Sequence, residues 1–197
     1  MMERRELLRW MVATAGVRCL SGLSADDLLA MGTEIHRAPG VGQAPGGLSA
    51  VERRIVIAAA ERIIPATDTP GATDADVVAF VDKMLSGWYA PDERARFLAG
   101  LRELDTRSRA AHGRGFAESS EPEQVTLLTR FDDDVAALRR NPAGANPNDH
   151  WFATLKFLTV WGYCTSEVGM RQALRSWPRP GRYDGCAPVT TLRRNGA

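Results

Sequence analysis

Apolar residues recur every three or four positions along much of the chain, and this spacing predicts a series of amphipathic helices. No segment shows the strict alternation of apolar and polar residues that marks a half-buried strand. The predicted fold is therefore all-α, a single helical domain of about six helices with an extended C-terminal tail. The four clearest stripes are Val51, Ile55, Ala59 and Ile63; Val77, Phe80, Val81, Met84, Leu85 and Trp88; Phe97, Leu98, Leu101 and Leu104; and Leu127, Leu128, Phe131, Val135 and Leu138.

Capping residues and prolines predict where these helices begin and end. A serine followed three residues later by a glutamate is a capping box, and a proline is tolerated in a first helical turn. Ile64-Pro65 is expected to end the first long helix, and Pro91 to open the third. The predicted starts are Ser49 with Glu52, Ser120 with Glu123, and single caps at Thr73 and Asp149.

The last predicted long helix, which contains Trp151 to Trp161, is apolar on nearly every face. Lys156 is its main polar exception. A helix of this kind lies in the centre of a core or is covered by another chain.

The segments outside residues 48–175 differ in composition from the helical domain. Residues 21–47 predict a short helix after Ser24 and a linker rich in glycine and proline from Ala38 to Gly47. Residues 1–20 are a separate N-terminal segment, and residues 176–197 form the tail.

Prolines prevent regular structure in the tail, because they lack the backbone donor and restrict the residue before them. The same tail carries large aromatic side chains and arginines, a composition typical of binding surfaces. It is interpreted either as a partner-binding segment or as an arm that folds back over its own domain. The candidate contact residues are Trp177, Arg179, Arg182, Tyr183 and Asp184.

The N-terminal segment allows two interpretations. Arg4 and Arg5 precede an apolar stretch, which is the layout of a twin-arginine export signal. The stretch is short and Arg18 interrupts it, so an amphipathic first helix with a basic face in water is the alternative.

Composition excludes several classes of function. The formal net charge is +1 with both signs interspersed, which argues against a nucleic-acid binder. No apolar run is long enough to cross a bilayer, so any membrane association would be indirect. Cys19, Cys164 and Cys186 fit no metal-binding spacing, and no cofactor loop is present.

A catalytic thiol is the one enzymatic hypothesis that the sequence offers. Cys164 and His150 would form a dyad only if the chain reversed at Gly162, because fourteen helical residues span about 21 Å. Cys186 is the other candidate nucleophile.

Two blocks of sequence resemble the gluconate 2-dehydrogenase subunit 3 family. The first runs from Ala60 to Ala72 (AERIIPATDTPGA) and the second from Gly162 to Gly169 (GYCTSEVG), followed by PGRYDGC from Pro180 to Cys186. The resemblance extends over about residues 48–188.

The resemblance implies a small, non-catalytic accessory subunit that holds no cofactor itself. Its partner would be a large FAD-dependent dehydrogenase of the glucose-methanol-choline class acting on sugars or sugar acids, often with a cytochrome c subunit. The small subunit would support maturation, export and stability of the partner. This predicts a location in the periplasm, or at the periplasmic face of the inner membrane through the partner, and in the cytoplasm if Arg4 and Arg5 are no signal. Tyr163, Ser166 and Glu167 would brace a turn, and Cys186 either forms a disulfide with the partner or stays a packed thiol.

Overall fold

A computed structural model of the chain describes residues 24–37, 47–141 and 146–175. Within these ranges the fold is all-α and contains no strand, which confirms the predicted fold class. The six α-helices are α1 (Ala25–Arg37), α2 (Ala50–Ile63), α3 (Val77–Gly87), α4 (Pro91–His112), α5 (Glu121–Arg140) and α6 (Trp151–Thr165). Short 3-10 turns at Phe116–Glu118 and Pro147–Asp149 join them, and a π-helical turn at Gly169–Ala173 follows α6.

Helix α6 is the centre of the fold. Nearly all of its residues are buried, and the other five α-helices pack against it. The sequence had left open whether another chain covers this helix. In the structure, helices α1 to α5 of the same chain cover α6.

Helix α1 belongs to the same hydrophobic core as residues 48–175. Leu28 and Ile35 are buried in that core, and the indole Nε1 of Trp161 donates a 2.8 Å hydrogen bond to the Leu28 carbonyl. Lys83 donates to the Ile35 carbonyl at the C-terminal end of α1, where unpaired carbonyls favour a cation. The core therefore extends beyond the boundary that the glycine-rich linker suggested.

Local capping chemistry begins two helices as predicted. The Ser49 amide donates to Glu52 and the Glu52 amide donates to the Ser49 hydroxyl, which completes the capping box of α2. At α5 the Ser120 amide donates to the Glu123 carboxylate.

Two predicted caps were wrong. Helix α3 begins after Asp76, whose φ of 48° lies in the left-handed region, and not after Thr73. Helix α6 begins after His150, whose Nδ1 accepts from the Phe152 amide, while Asp149 ends the preceding 3-10 turn.

Among the described residues, three large apolar side chains lie on the surface, and two of them had been assigned to core stripes. Val51 is 50% exposed because the buried face of α2 is rotated toward Val56. Trp88 is 52% exposed because α3 ends at Gly87, so helical spacing no longer applies to it. Val125, which no predicted stripe included, is 47% exposed on α5.

Helix α4 packs closely against α6 at Gly100, and this contact can be tested by substitution. A methyl group on Gly100 would overlap the indole ring of Trp151. We expect Gly100→Ala to lower the free energy of unfolding by about 1–3 kcal/mol, because an overpacked core forces side chains and backbone apart. Gly87→Ala is the matched control, since nothing lies within 4 Å of its added methyl. Urea denaturation measures both variants, and equal midpoints would contradict this account of the interface.

Candidate functional site at the junction of two sequence blocks

The two blocks that carry the family resemblance meet in space. Block one is the end of α2 and the loop after it, residues 60–72, and block two is the end of α6 and the turn after it, residues 162–169. The Tyr163 hydroxyl donates a 2.6 Å hydrogen bond to the Pro70 carbonyl. Burial raises the pKa of Tyr163, so the hydroxyl keeps the proton that it donates.

The Glu61 carboxylate organises the loop of block one. It accepts from the Ala66 amide at 2.9 Å, from the Thr73 amide at 3.0 Å and from the Thr73 hydroxyl at 2.6 Å. Partial burial acts to raise the pKa of Glu61, but these hydrogen bonds, together with the neighbouring Arg62, outweigh it and the pKa is lowered. The Glu61 carboxylate thus holds both the start of the loop, at Ala66, and its end, at Thr73.

Gly71 is required at its position in this loop. A Cβ atom there would overlap the Glu61 carboxylate and approach the Ala66 amide. Its own amide donates to Asp74 at 2.9 Å. Residues Pro65 to Asp68 of this loop are exposed. Because Glu61 and Gly71 fix the loop from below, its exposed backbone is held in one conformation.

Ser166 holds the turn of block two. Its hydroxyl donates to the Tyr163 carbonyl at 2.8 Å and accepts from the Gly169 amide at 2.9 Å. Gly169 packs so closely that a Cβ atom would overlap the Tyr163 carbonyl. Glu167 points away from this turn and pairs with Arg171 at 2.8 Å, with its side chain 71% exposed.

The Cys164–His150 dyad is not formed. Helix α6 is continuous through Gly162, so the two residues lie at its opposite ends. Burial raises the pKa of Cys164 to about 12, which leaves the thiol protonated at neutral pH. His150 instead caps α6, and burial lowers its pKa.

A pocket of about 370 Å³ lies beside block two. Thr33, His36 and Arg37 of α1 line one side, and Thr165, Glu167, Met170 and Arg171 line the other. The His36 Nε2 lies 2.8 Å from the Gly162 carbonyl, and because a carbonyl only accepts, this nitrogen carries hydrogen. Burial lowers the pKa of His36, so the ring is a neutral brace in the pocket wall.

The other predicted contact residues lie outside the described residues. These are the tail residues Trp177, Arg179, Arg182, Tyr183, Asp184 and Cys186, and the N-terminal Arg4 and Arg5. Within the described ranges, no three His, Cys, Asp or Glu side chains are grouped as metal ligands. No helix in these ranges is both long and apolar enough to span a bilayer.

Sequence reasoning missed two residues that build this region. Glu61 belongs to the first family block but was assigned no role, and no role was assigned to His36 either. The available signal for Glu61 was a carboxylate two residues before the end of α2, next to a loop whose amides need acceptors. His36 had no local signal, because its partner, the Gly162 carbonyl, is 126 positions away.

The family model described as gluconate 2-dehydrogenase subunit 3 matches residues 50–181, which include both blocks. Curated proteins and solved structures yield no match.

Glu61 provides a test of the loop. We expect Glu61→Gln to lower the free energy of unfolding by about 1–3 kcal/mol at pH 7, because hydrogen bonds to a charged acceptor are stronger than those to an amide oxygen. Glu118→Gln, at an exposed glutamate, is the control.

The stability difference between wild type and Glu61→Gln should depend on pH. The lowered pKa of Glu61 means that its contribution is fully present above the ordinary glutamate pKa, about 4.3, and is lost as the pH falls through the folded-state value. Urea midpoints of wild type and Glu61→Gln should therefore converge in acid. A constant difference between them down to pH 3 would contradict this role.

Cys164 provides a test of the thiol. In a variant carrying Cys19→Ser and Cys186→Ser, Cys164 is the remaining cysteine. We expect it to react with an aromatic disulfide reagent at pH 8 at least a hundredfold more slowly in the native chain than in urea, because it is 1% exposed and protonated. Fast native labelling would restore the nucleophile hypothesis.

Proposed function

Because the chain belongs to the gluconate 2-dehydrogenase subunit 3 family, we propose that it is the non-catalytic small subunit of an FAD-dependent dehydrogenase complex. The catalytic partner would be of the glucose-methanol-choline type and would oxidise a sugar or sugar acid. The small subunit would support the partner's maturation, export and stability. FAD would reside in the partner, and a cytochrome c subunit would accept electrons from it.

One observation carries the proposal: three polar side chains of the family blocks are engaged with backbone groups of the molecule itself. Glu61, Tyr163 and Ser166 bond to amides and carbonyls of the surrounding loops. A general base or nucleophile must be able to reach a substrate. These groups instead hold a rigid surface, which is the requirement for docking another protein.

The tail is the proposed anchor to the partner. The described chain reaches Arg175, a few residues after the turn that Ser166 holds. Trp177 and Tyr183 follow with Arg179, Arg182 and Asp184, and aromatic and arginine side chains dominate binding energies at protein interfaces. Cys186 is the proposed site of a disulfide with the partner.

Arg4 and Arg5 are the proposed export signal. A twin-arginine signal on the small subunit would carry a partner without its own signal to the periplasm. Fractionation of cells that express the chain with Arg4→Lys and Arg5→Lys would show retention in the cytoplasm if this assignment holds.

The tail anchor is tested by co-expressing the chain with the FAD-dependent dehydrogenase subunit proposed as its partner and purifying the two together. We expect Trp177→Ala and Tyr183→Ala each to raise the dissociation constant about 30-fold, since an interface hot spot contributes about 2 kcal/mol or more. Trp88→Ala is the matched control, because it removes an exposed tryptophan from the helical body. The thermal midpoint of each isolated variant checks that the body stays folded.

Three outcomes separate the alternatives. Full binding by both tail variants would remove the tail from the interface. Shielding of Trp177 from fluorescence quenchers in the isolated chain, with no flavoprotein recovered, would indicate a self-contained binding domain. Substrate turnover by the purified chain alone, abolished by thiol alkylation, would indicate a thiol enzyme.

A further inference from the structure

His150 stands at the start of the central helix in a geometry that depends on its protonation state. It is the residue before the first turn of α6, and its Nδ1 lies 3.2 Å from the Phe152 amide nitrogen. A backbone amide only donates a hydrogen bond, so Nδ1 must be the acceptor. An imidazole nitrogen accepts only while it carries no hydrogen. The cap of α6 therefore exists only while Nδ1 is deprotonated.

Protonation of the His150 ring would remove this cap. In the imidazolium ion both ring nitrogens carry hydrogen, so Nδ1 would become a donor facing the Phe152 amide, which is also a donor. The ion would also stand at the N-terminus of α6, where the helix dipole disfavours a positive charge. Both effects oppose the charged ring at this position.

His36 contacts the opposite end of α6 but does not have this property. Its Nε2 donates to the Gly162 carbonyl. A donor nitrogen keeps its hydrogen when the ring is protonated, and the C-terminal end of a helix favours a cation. Protonation of His36 therefore leaves its hydrogen bond to α6 in place, and His36 serves as the internal control for His150.

Charges of both signs surround the His150 ring. Burial, which has the largest influence, and Arg107 on α4 lower the pKa of His150, while Asp134 on α5 and Glu103 on α4 act to raise it. Glu103 is paired with Arg107 at 2.6 Å, and Asp134 is exposed, so solvent screens its attraction for the ring. The net effect is a lowered pKa, and the neutral ring is favoured.

The first turn of α6 is tightly packed at the point where this cap holds it. Trp151 lies so close to Gly100 of α4 that a Cβ atom on the glycine would overlap the indole ring. Trp151 also meets Phe131 of α5 edge to face, with 4.8 Å between the ring centroids, and Phe152 is buried. A change in this turn therefore reaches the contacts of α6 with both α4 and α5.

We propose that His150 is a pH-sensitive cap that loosens the first turn of α6 in mild acid. Well above pH 6.5, about the ordinary pKa of histidine, the ring is neutral in the folded and the unfolded chain and the cap contributes its full stability. Because the pKa of His150 is lower in the folded chain, the unfolded chain binds more protons as the pH falls. The contribution of the cap is then progressively lost.

The pH-sensitive turn lies away from the proposed docking surface. His150 and Gly162, where block two begins, are twelve residues apart, which corresponds to about 18 Å along α6. Acid would thus loosen the end of α6 that packs on α4 and α5 while the turn that Ser166 holds stays in place. The cap is a property of the isolated chain, so its test needs no partner.

An NMR titration of the folded wild-type chain tests the cap directly. We expect the His150 ring and the Phe152 amide to shift together with a midpoint below about 6.5, the ordinary histidine value, because protonation of Nδ1 takes the acceptor from that amide. In the control variant His36→Gln the Phe152 amide should still titrate, since His150 is intact. A Phe152 amide that does not follow the His150 ring would overturn the proposal, as would a shared midpoint above the ordinary value.

His150→Asn separates the cap from the titration. Asparagine is a strong N-cap without a titratable side chain, so the cap should persist at either pH. Between pH 7.5 and pH 5.5 we expect the unfolding equilibrium constant of wild type to rise about fivefold more than that of His150→Asn, which corresponds to the typical contribution of one cap. Urea denaturation at the two pH values measures both chains.

An equal pH dependence of wild type and His150→Asn would contradict a pH-sensitive cap. If His150→Asn does not fold, the NMR titration still decides, because it uses the wild-type chain and follows one amide. A purely structural role of His150 would leave the Phe152 amide unchanged while the ring titrates.

Discussion

The burial of α6 is the constraint on which the rest of the structure depends. A helix that is apolar on all sides must be surrounded, and α1 to α5 provide the surrounding layer. Such a helix has no polar face to fix its rotation. Its few polar groups do so instead: Trp161 bonds to α1, Tyr163 to the loop after α2, and Lys156 to Asp132 on α5. Segments that are far apart in sequence are thereby fixed in position relative to α6.

The same anchoring gives the two family blocks a fixed surface. Glu61 fixes the loop of block one from below, and Ser166 fixes the turn of block two, so both surfaces keep one shape without a partner present. A preorganised surface loses less conformational entropy when it binds. The proposed docking role needs this property, whereas a catalytic role would need polar groups that are free to meet a substrate.

Features that depend on neighbouring residues, such as capping boxes, could be predicted from the sequence. Features that depend on contacts between distant segments could not. The capping boxes at Ser49 and Ser120 were predictable because both partners lie within one turn. Thr73 was taken for a cap, but its amide and hydroxyl bond to Glu61, twelve residues earlier. Val51 satisfied the helical period, yet tertiary packing rotated the buried face of α2 away from it. The contacts of Glu61 and His36 require knowledge of which segments meet, and this is not encoded in local spacing.

The position of the central helix near the C-terminal end of the described chain has a consequence for synthesis. During translation, α1 to α5 leave the ribosome before the helix that they surround exists. At about 5–20 residues per second, roughly 7–28 s separate the appearance of residue 25 from that of residue 165. The apolar face of α1 lacks α6 for all of that time, and the faces of α2 to α5 lack it for progressively shorter times, during which they are open to aggregation. Nascent chains of this protein should therefore depend on chaperones until residue 165 has emerged.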